Sequence, residues 1–129
     1  MPQRRTFAAL LTTVAALSVL GLAPTGAPAA PRAHAAGACA IRGREQSLGP
    51  TYVTYVEVRG GASCSFALRL VKAYDQCRLK HGGVKGSCSG VYGFRCSENR
   101  YLKIVVQYDA SVTCTRGSQR VFHKYTQFT

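Results

Sequence analysis

The chain has 129 residues with 17 Lys/Arg against 5 Asp/Glu, a formal charge of +12 and no Trp. That length holds one domain with a single modest core and excludes two. There is no internal repeat, no N-x-[ST] sequon, and only one long uncharged apolar run, near the start.

The first 35 residues read as an export signal. Arg4 and Arg5 form a positive n-region, Phe7 to Ala23 follow without a charge, and Pro24 to Ala35 are rich in Pro and Ala. Ala33-His34-Ala35 is an A-x-A processing site of the kind that ends a secretory signal, with Ala27-Pro28-Ala29 as a second candidate. The apolar run spans 17 residues, the short limit for a bilayer-spanning helix. Arg4-Arg5-Thr6-Phe7 resembles part of a twin-arginine signal, but six cysteines that pair after export favour the unfolded route. Ala36-Gly37-Ala38 before Cys39 suggests a lipid-anchored cysteine. That would strand an odd thiol among the other five. After residue 35 the chain keeps 14 Lys/Arg and 5 Asp/Glu, a net charge of +9.

Residues 36–50 are small, polar and punctuated by Gly and Pro, which predicts an irregular lead-in to a domain over 51–129. Thr51 to Arg59 is rich in β-branched and aromatic residues and reads as a strand. Ser63 is placed to cap a helix from Cys64 to Leu79, with Ala67, Leu70, Val71 and Tyr74 on one apolar face. Arg69, Lys72 and Gln76 share the other side. A glycine-rich loop carries Cys88. Val91 to Cys96 reads as a strand, Ser97 to Arg100 as a turn and Tyr101 to Tyr108 as a strand. Asp109 then reads as a break, with Ser111 to Thr115 extended. Arg116-Gly117-Ser118 is a turn before a closing strand, Arg120 to Phe128. The order β-α-β-β-β predicts α+β: one helix packed on a small antiparallel sheet, disulfide-linked, with the other sheet face in water.

Six cysteines in a short exported chain are a disulfide framework. Crosslinks also offset the self-repulsion of a +9 domain. The gaps between Cys39, Cys64, Cys77, Cys88, Cys96 and Cys114 hold 24, 12, 10, 7 and 17 residues, none the close pair of a structural zinc site. His81 could join Cys77 and Cys88 but is read as a solvated loop histidine. Of 15 connectivities, a Cys77–Cys88 bond is preferred because it would pin the glycine-rich loop to the helix end. The remaining cysteines suggest Cys64–Cys96 or Cys96–Cys114, with Cys39 taking the partner left over. No metal or organic cofactor is implied.

Ser63-Cys64, Ala67, Gly93-Phe94-Arg95-Cys96 and Cys114-Thr115-Arg116-Gly117 together resemble a family of small secreted cysteine-containing proteins from actinobacteria. The resemblance covers roughly residues 53–127. It implies an exported α+β domain and supplies no catalytic residues.

Three function classes are weighed on the residues themselves. A secreted nuclease would need an acid, a base and a phosphate clamp, for which Glu98, Arg100 and His123 are the available set. Their alternative description is a solvated turn for Glu98 and a strand surface for His123. A protein-directed module, such as an inhibitor of an extracellular partner, suits a small disulfide-linked domain, although no reactive loop stands out. Binding to an anionic partner is the strongest of the three, set against the plain reading of the basic residues as solubilising charge. Arg95, Arg100, Lys103, Arg116, Arg120 and Lys124 fall on the predicted sheet and its turns, interleaved with Tyr92, Phe94, Tyr101 and Tyr125. Outside a bacterium the abundant anions are cell-wall polymers and lipid head groups rather than nucleic acid. The sequence thus leads to an exported, non-catalytic basic domain associated with the cell envelope.

Overall fold

Residues 36–129 are described by the structure, a computed structural model. The export signal expected at 1–35 lies outside the described residues. Among the described residues six strands and one α-helix follow in the order β1 (Gly37–Ala38), β2 (Tyr52–Arg59), α1 (Cys64–Lys80), β3 (Gly90–Val91), β4 (Phe94–Ile104), β5 (Gln107–Arg116) and β6 (Gln119–Phe128). A 3-10 turn, Gly83–Lys85, lies between α1 and β3. All strand pairs are antiparallel, in the spatial order β1-β2-β6-β5-β4-β3.

The fold is therefore α+β with one helix on an antiparallel sheet, but strand number and order differ from β-α-β-β-β. Two differences have a clear cause. The stretch 36–50 is not merely an irregular lead-in. Gly37–Ala38 pair with β2, and Cys39 and Leu48 are buried in the core. The second difference is larger. Ser97 to Arg100 is no turn but the middle of β4, and Asp109 is no break but part of β5. The chain reverses at Val105-Val106, between the paired residues Ile104 and Gln107. Alternation hides in 97–100 because the residues facing the helix, Glu98 and Arg100, are themselves polar.

The other two hairpins each place a glycine in their loop, although Tyr92 beside Gly93 is a bulky residue in the left-handed region. Tyr92 and Gly93 both have positive φ (50° and 74°) in the two-residue loop from β3 to β4. Gly117 (φ 56°) opens the two-residue loop from β5 to β6. Such loops match the twist of the flanking strands.

Ser63 caps α1, its hydroxyl accepting the Phe66 amide at 3.3 Å. Ala67, Leu70, Val71 and Tyr74 are buried as the 3.6 period requires, and the same stripe continues through Asp75 and Arg78. Arg78 is fully buried. Its Nε and Nη2 lie 2.8 and 2.6 Å from Asp75 Oδ1. Nη1 donates to the Val84 carbonyl (2.9 Å) and the Tyr108 hydroxyl (3.1 Å), and Nη2 donates to Gln127. The guanidinium carbon stands 5.0 Å from the Tyr125 ring centroid. One side chain thereby joins the helix, the loop after it, β5 and β6. Burial pushes the Asp75 carboxyl above its ordinary value while Arg78 pulls it back.

Three disulfides close the fold: Cys39–Cys64, Cys77–Cys88 and Cys96–Cys114. The first ties the segment before β2 to the start of α1. The second joins the end of α1 to the loop before β3. The third bridges partners directly opposite on β4 and β5. Cys64–Cys96 does not form. Cys39 is not available for lipidation, nor Cys77 and Cys88 for zinc.

Removing one partner of a buried, hydrogen-bonded ion pair typically costs about 3–5 kcal/mol, because the other charge stays buried. Arg78→Ala is expected to lose stability of that order. Arg78→Lys should fall between, since an ammonium cannot reproduce the planar fork. Urea unfolding followed by circular dichroism measures both.

Candidate functional site

The sheet has two unlike faces. Under the helix, cross-strand register lines up Val56, His123, Val112 and Glu98 in one row, and Val53, Tyr125, Ala110 and Arg100 in the next. Glu98 and His123, predicted as a turn residue and a strand-surface residue, thus share a row two strands apart, with Tyr74 between them. The Tyr74 hydroxyl donates to Glu98 Oε2 at 2.5 Å, and its ring meets the His123 ring edge-on at 5.6 Å. Arg100 also donates to Glu98.

This set is unsuited to hydrolysis. His123 is 0% exposed, and neither ring nitrogen has a hydrogen-bond partner. Burial, reinforced by the Arg78 charge, pushes its pKa down to about 3. A base that no substrate reaches and that stays neutral well below pH 7 cannot exchange protons with one. Burial, with the bond to Glu98 adding to it, pushes the Tyr74 hydroxyl pKa upward.

Arg100 is likewise committed to structure. Its Nη1 and Nη2 donate to the Lys85 and Gly86 carbonyls at 2.9 and 2.6 Å. The guanidinium stands 4.6 Å from the Tyr108 ring centroid. With Arg78 and the Cys77–Cys88 bond, it holds the loop after α1, which is no loose surface loop. Gly86 permits the approach, since a Cβ there would lie 2.0 Å from the Arg78 carbonyl oxygen.

The other face is covered by no element among the described residues. Three rows lie on it: Arg59, Arg120, Thr115 and Arg95; Glu57, Phe122, Thr113 and Ser97; Tyr55, Lys124, Ser111 and Asn99. None of these residues is buried. Glu57 accepts from Arg59 and from Tyr55, and the bond to Arg59 is the main reason its pKa is lowered. Phe122 sits at the centre, edge-on to Tyr55 at 6.1 Å, with Arg120 and Lys124 at 5.7 and 6.0 Å from its ring centroid.

The six predicted binding residues are therefore not one patch. Arg95, Arg120 and Lys124 share the open face and take part in no ion pair among the described residues. Arg116 turns to the helix side, over Phe94 at 4.6 Å, and donates to the Tyr92 carbonyl. Arg100 is consumed as described. Lys103 lies near the tip of the β4–β5 hairpin, where with Lys85, Arg100, Tyr108 and Ile104 it lines a cleft of about 230 Å³. Arg59 and the hydroxyl ladder Thr115, Thr113 and Ser111 were missed. Arg59 ends β2 and its signal was the alternation of that strand, while the three hydroxyls follow the alternation of β5, which reading Asp109 as a break cut short.

Among the described residues no group of His, Cys, Asp and Glu could hold a metal ion, and no helix is long and apolar enough to cross a membrane. Comparison with models of protein families, with curated proteins and with solved structures finds no match.

The buried neutral His123 makes stability pH-dependent. A folded-state pKa below the unfolded value of about 6.5 gives stability that is fully present above pH 6.5 and is lost as pH falls toward about 3. The loss is about 1.4 kcal/mol per pH unit in that window. Denaturant midpoints measured from pH 7 to 5 should fall accordingly, and His123→Leu should flatten most of that slope.

Proposed function

We propose that this is an exported, non-catalytic domain that holds an anionic polymer of the cell envelope against the open face of its sheet. The observation that carries this reading is the placement of Arg95, Arg120 and Lys124 on one face that, among the described residues, is uncovered and where the three stand outside every ion pair, with serine and threonine hydroxyls between them. Arg120 and Arg95 stand two strands apart in one row and Lys124 lies four residues further along β6, so the cations are spread over the face rather than gathered round a small ligand. Phe122 and Tyr55 add stacking area in the middle.

Charge supports the same reading. Of the 14 Lys/Arg and 5 Asp/Glu after residue 35, three of each are taken up in Arg59–Glu57, Arg78–Asp75 and Arg100–Glu98. That leaves 11 cations against two carboxylates, one of which, Asp109, accepts the Thr126 hydroxyl. Such a surface attracts polyanions over a Debye length and releases them in salt. Three disulfides suit an oxidising compartment, and the likeness to small secreted proteins from actinobacteria belongs to the same proposal. The nuclease alternative loses support because its base would be His123.

The protein without its first 35 residues should sediment with purified cell-wall material at low salt and be released by added salt. Arg95→Gln/Arg120→Gln/Lys124→Gln should weaken that binding about tenfold or more with the fold unchanged by circular dichroism. Protein that stays in the supernatant at low salt would overturn the proposal. Salt-insensitive binding to a single extracellular protein would favour a protein-directed module instead.

A further inference from the structure

The end of the sheet away from the Arg59–Arg120–Arg95 row is built differently. There the β4–β5 hairpin exposes Leu102, Ile104, Val105 and Val106, at 61%, 56%, 96% and 60%. Three local preferences are broken at this one place. A two-residue hairpin loop ordinarily takes Gly, Asn or Asp with positive φ, yet this one is Val-Val, and neither valine has positive φ. Leu102 is held at φ 46°, where a bulky side chain is rarely found, and the register slips beside it, between Tyr101 and Ile104. A run of exposed aliphatic side chains also works against solubility. Such costs concentrated at one site point to function.

The surroundings are graded. Behind the aliphatic tip stand exposed aromatics: Phe128, opposite Gln107, edge-on to Tyr52 at 6.1 Å, and Tyr101 on β4. Lys103 and Lys85 line the adjoining cleft with Arg100. The nearby side-chain carboxylates are engaged, Glu98 by Arg100 and Tyr74 and Asp109 by Thr126, while Thr129 donates from its amide and its hydroxyl to the Val106 and Val105 carbonyls beside the tip. We propose that the β4–β5 hairpin tip docks on an anionic lipid surface. Leu102, Ile104, Val105 and Val106 enter the boundary between headgroups and acyl chains, and Lys85 and Lys103 meet the headgroups.

The shape and charge select this occupant. The tip is a convex two-residue turn, so a rigid partner would need a matching socket, whereas a bilayer interface deforms around it. A second copy of a +9 domain is disfavoured by like charge. Aliphatic groups at the point with aromatics behind them suit the apolar and mixed layers of a bilayer interface, and Lys103, within the run itself, reaches the headgroups by extending its stem outward. An apolar insertion of this size binds weakly by itself, and anionic headgroups add attraction for each nearby lysine.

The protein lacking residues 1–35 would be mixed with vesicles of phosphatidylcholine containing phosphatidylglycerol, and with vesicles of phosphatidylcholine alone. The expected result is flotation with the anionic vesicles only. Ile104→Ser/Val105→Ser should lose about tenfold or more in vesicle affinity while keeping its circular dichroism spectrum and its sedimentation with wall material. Because the chain has no Trp, Val105→Trp provides a single probe, whose emission should shift to the blue on anionic vesicles. An unshifted emission, or a serine variant that floats as well as the unaltered protein, overturns the proposal. So does a concentration-dependent dimer that the serine variant abolishes. The wall-sedimentation result tests the open face separately, so the two surfaces can fail independently.

Discussion

The fold turns on the buried guanidinium of Arg78. It is fully enclosed, yet its donors are met from four directions: Asp75 on its own helix, the Val84 carbonyl in the following loop, Tyr108 on β5 and Gln127 on β6. A buried charge is tolerable only when its partners satisfy it. The helix, the loop and two strands must therefore all be in place together. A hydrophobic side chain here would fill volume without setting direction, whereas the planar fork admits few arrangements. Arg100 repeats the device at lower burial, taking the Lys85 and Gly86 carbonyls and Glu98.

Those two arginines decide what is left for the surface. Arg78 and Arg100 spend their charge on the interior and the loop, and Arg59 spends its own on Glu57. The remaining cations are mostly uncompensated, and the sheet sorts them. The helix-covered face takes His123, Tyr125 and the apolar residues. The open face takes Arg95, Arg120 and Lys124 with the hydroxyl ladder of β5. The far end takes the aliphatic tip of the β4–β5 hairpin. Disulfides restrain a small domain in which such an unbalanced charge opposes compactness.

Much of the local structure was legible. The helix was, because four apolar residues recur at 3.6 spacing behind a serine cap. β2 and β6 were, because their β-branched and aromatic residues follow glycine-containing turns. The middle of the sheet was not. Ser97 to Arg100 looks like a turn because its residues are polar, but two of them face the helix and are satisfied there by Tyr74, Tyr108 and the loop carbonyls. Val105-Val106 looks like the heart of a strand because valine has no turn chemistry. The site suffered from the same two misreadings. With the reversal misplaced, the alternation of β5 is out of phase, and the six candidate cations cannot be assigned to faces.

Short-range order and composition are enough for the helix and its cap, the α+β class, an even set of cysteines and a surplus of positive charge. Which polar residues are interior, which cations share a face and which cysteines meet emerge once the chain has folded. The physical reason is that burial of Arg78, Glu98 and His123 is set by partners far away along the chain. Glu98 finds Tyr74, and Arg78 finds Tyr108 and Gln127. No local pattern carries a contact whose favourable energy exists only once helix and sheet have closed on each other.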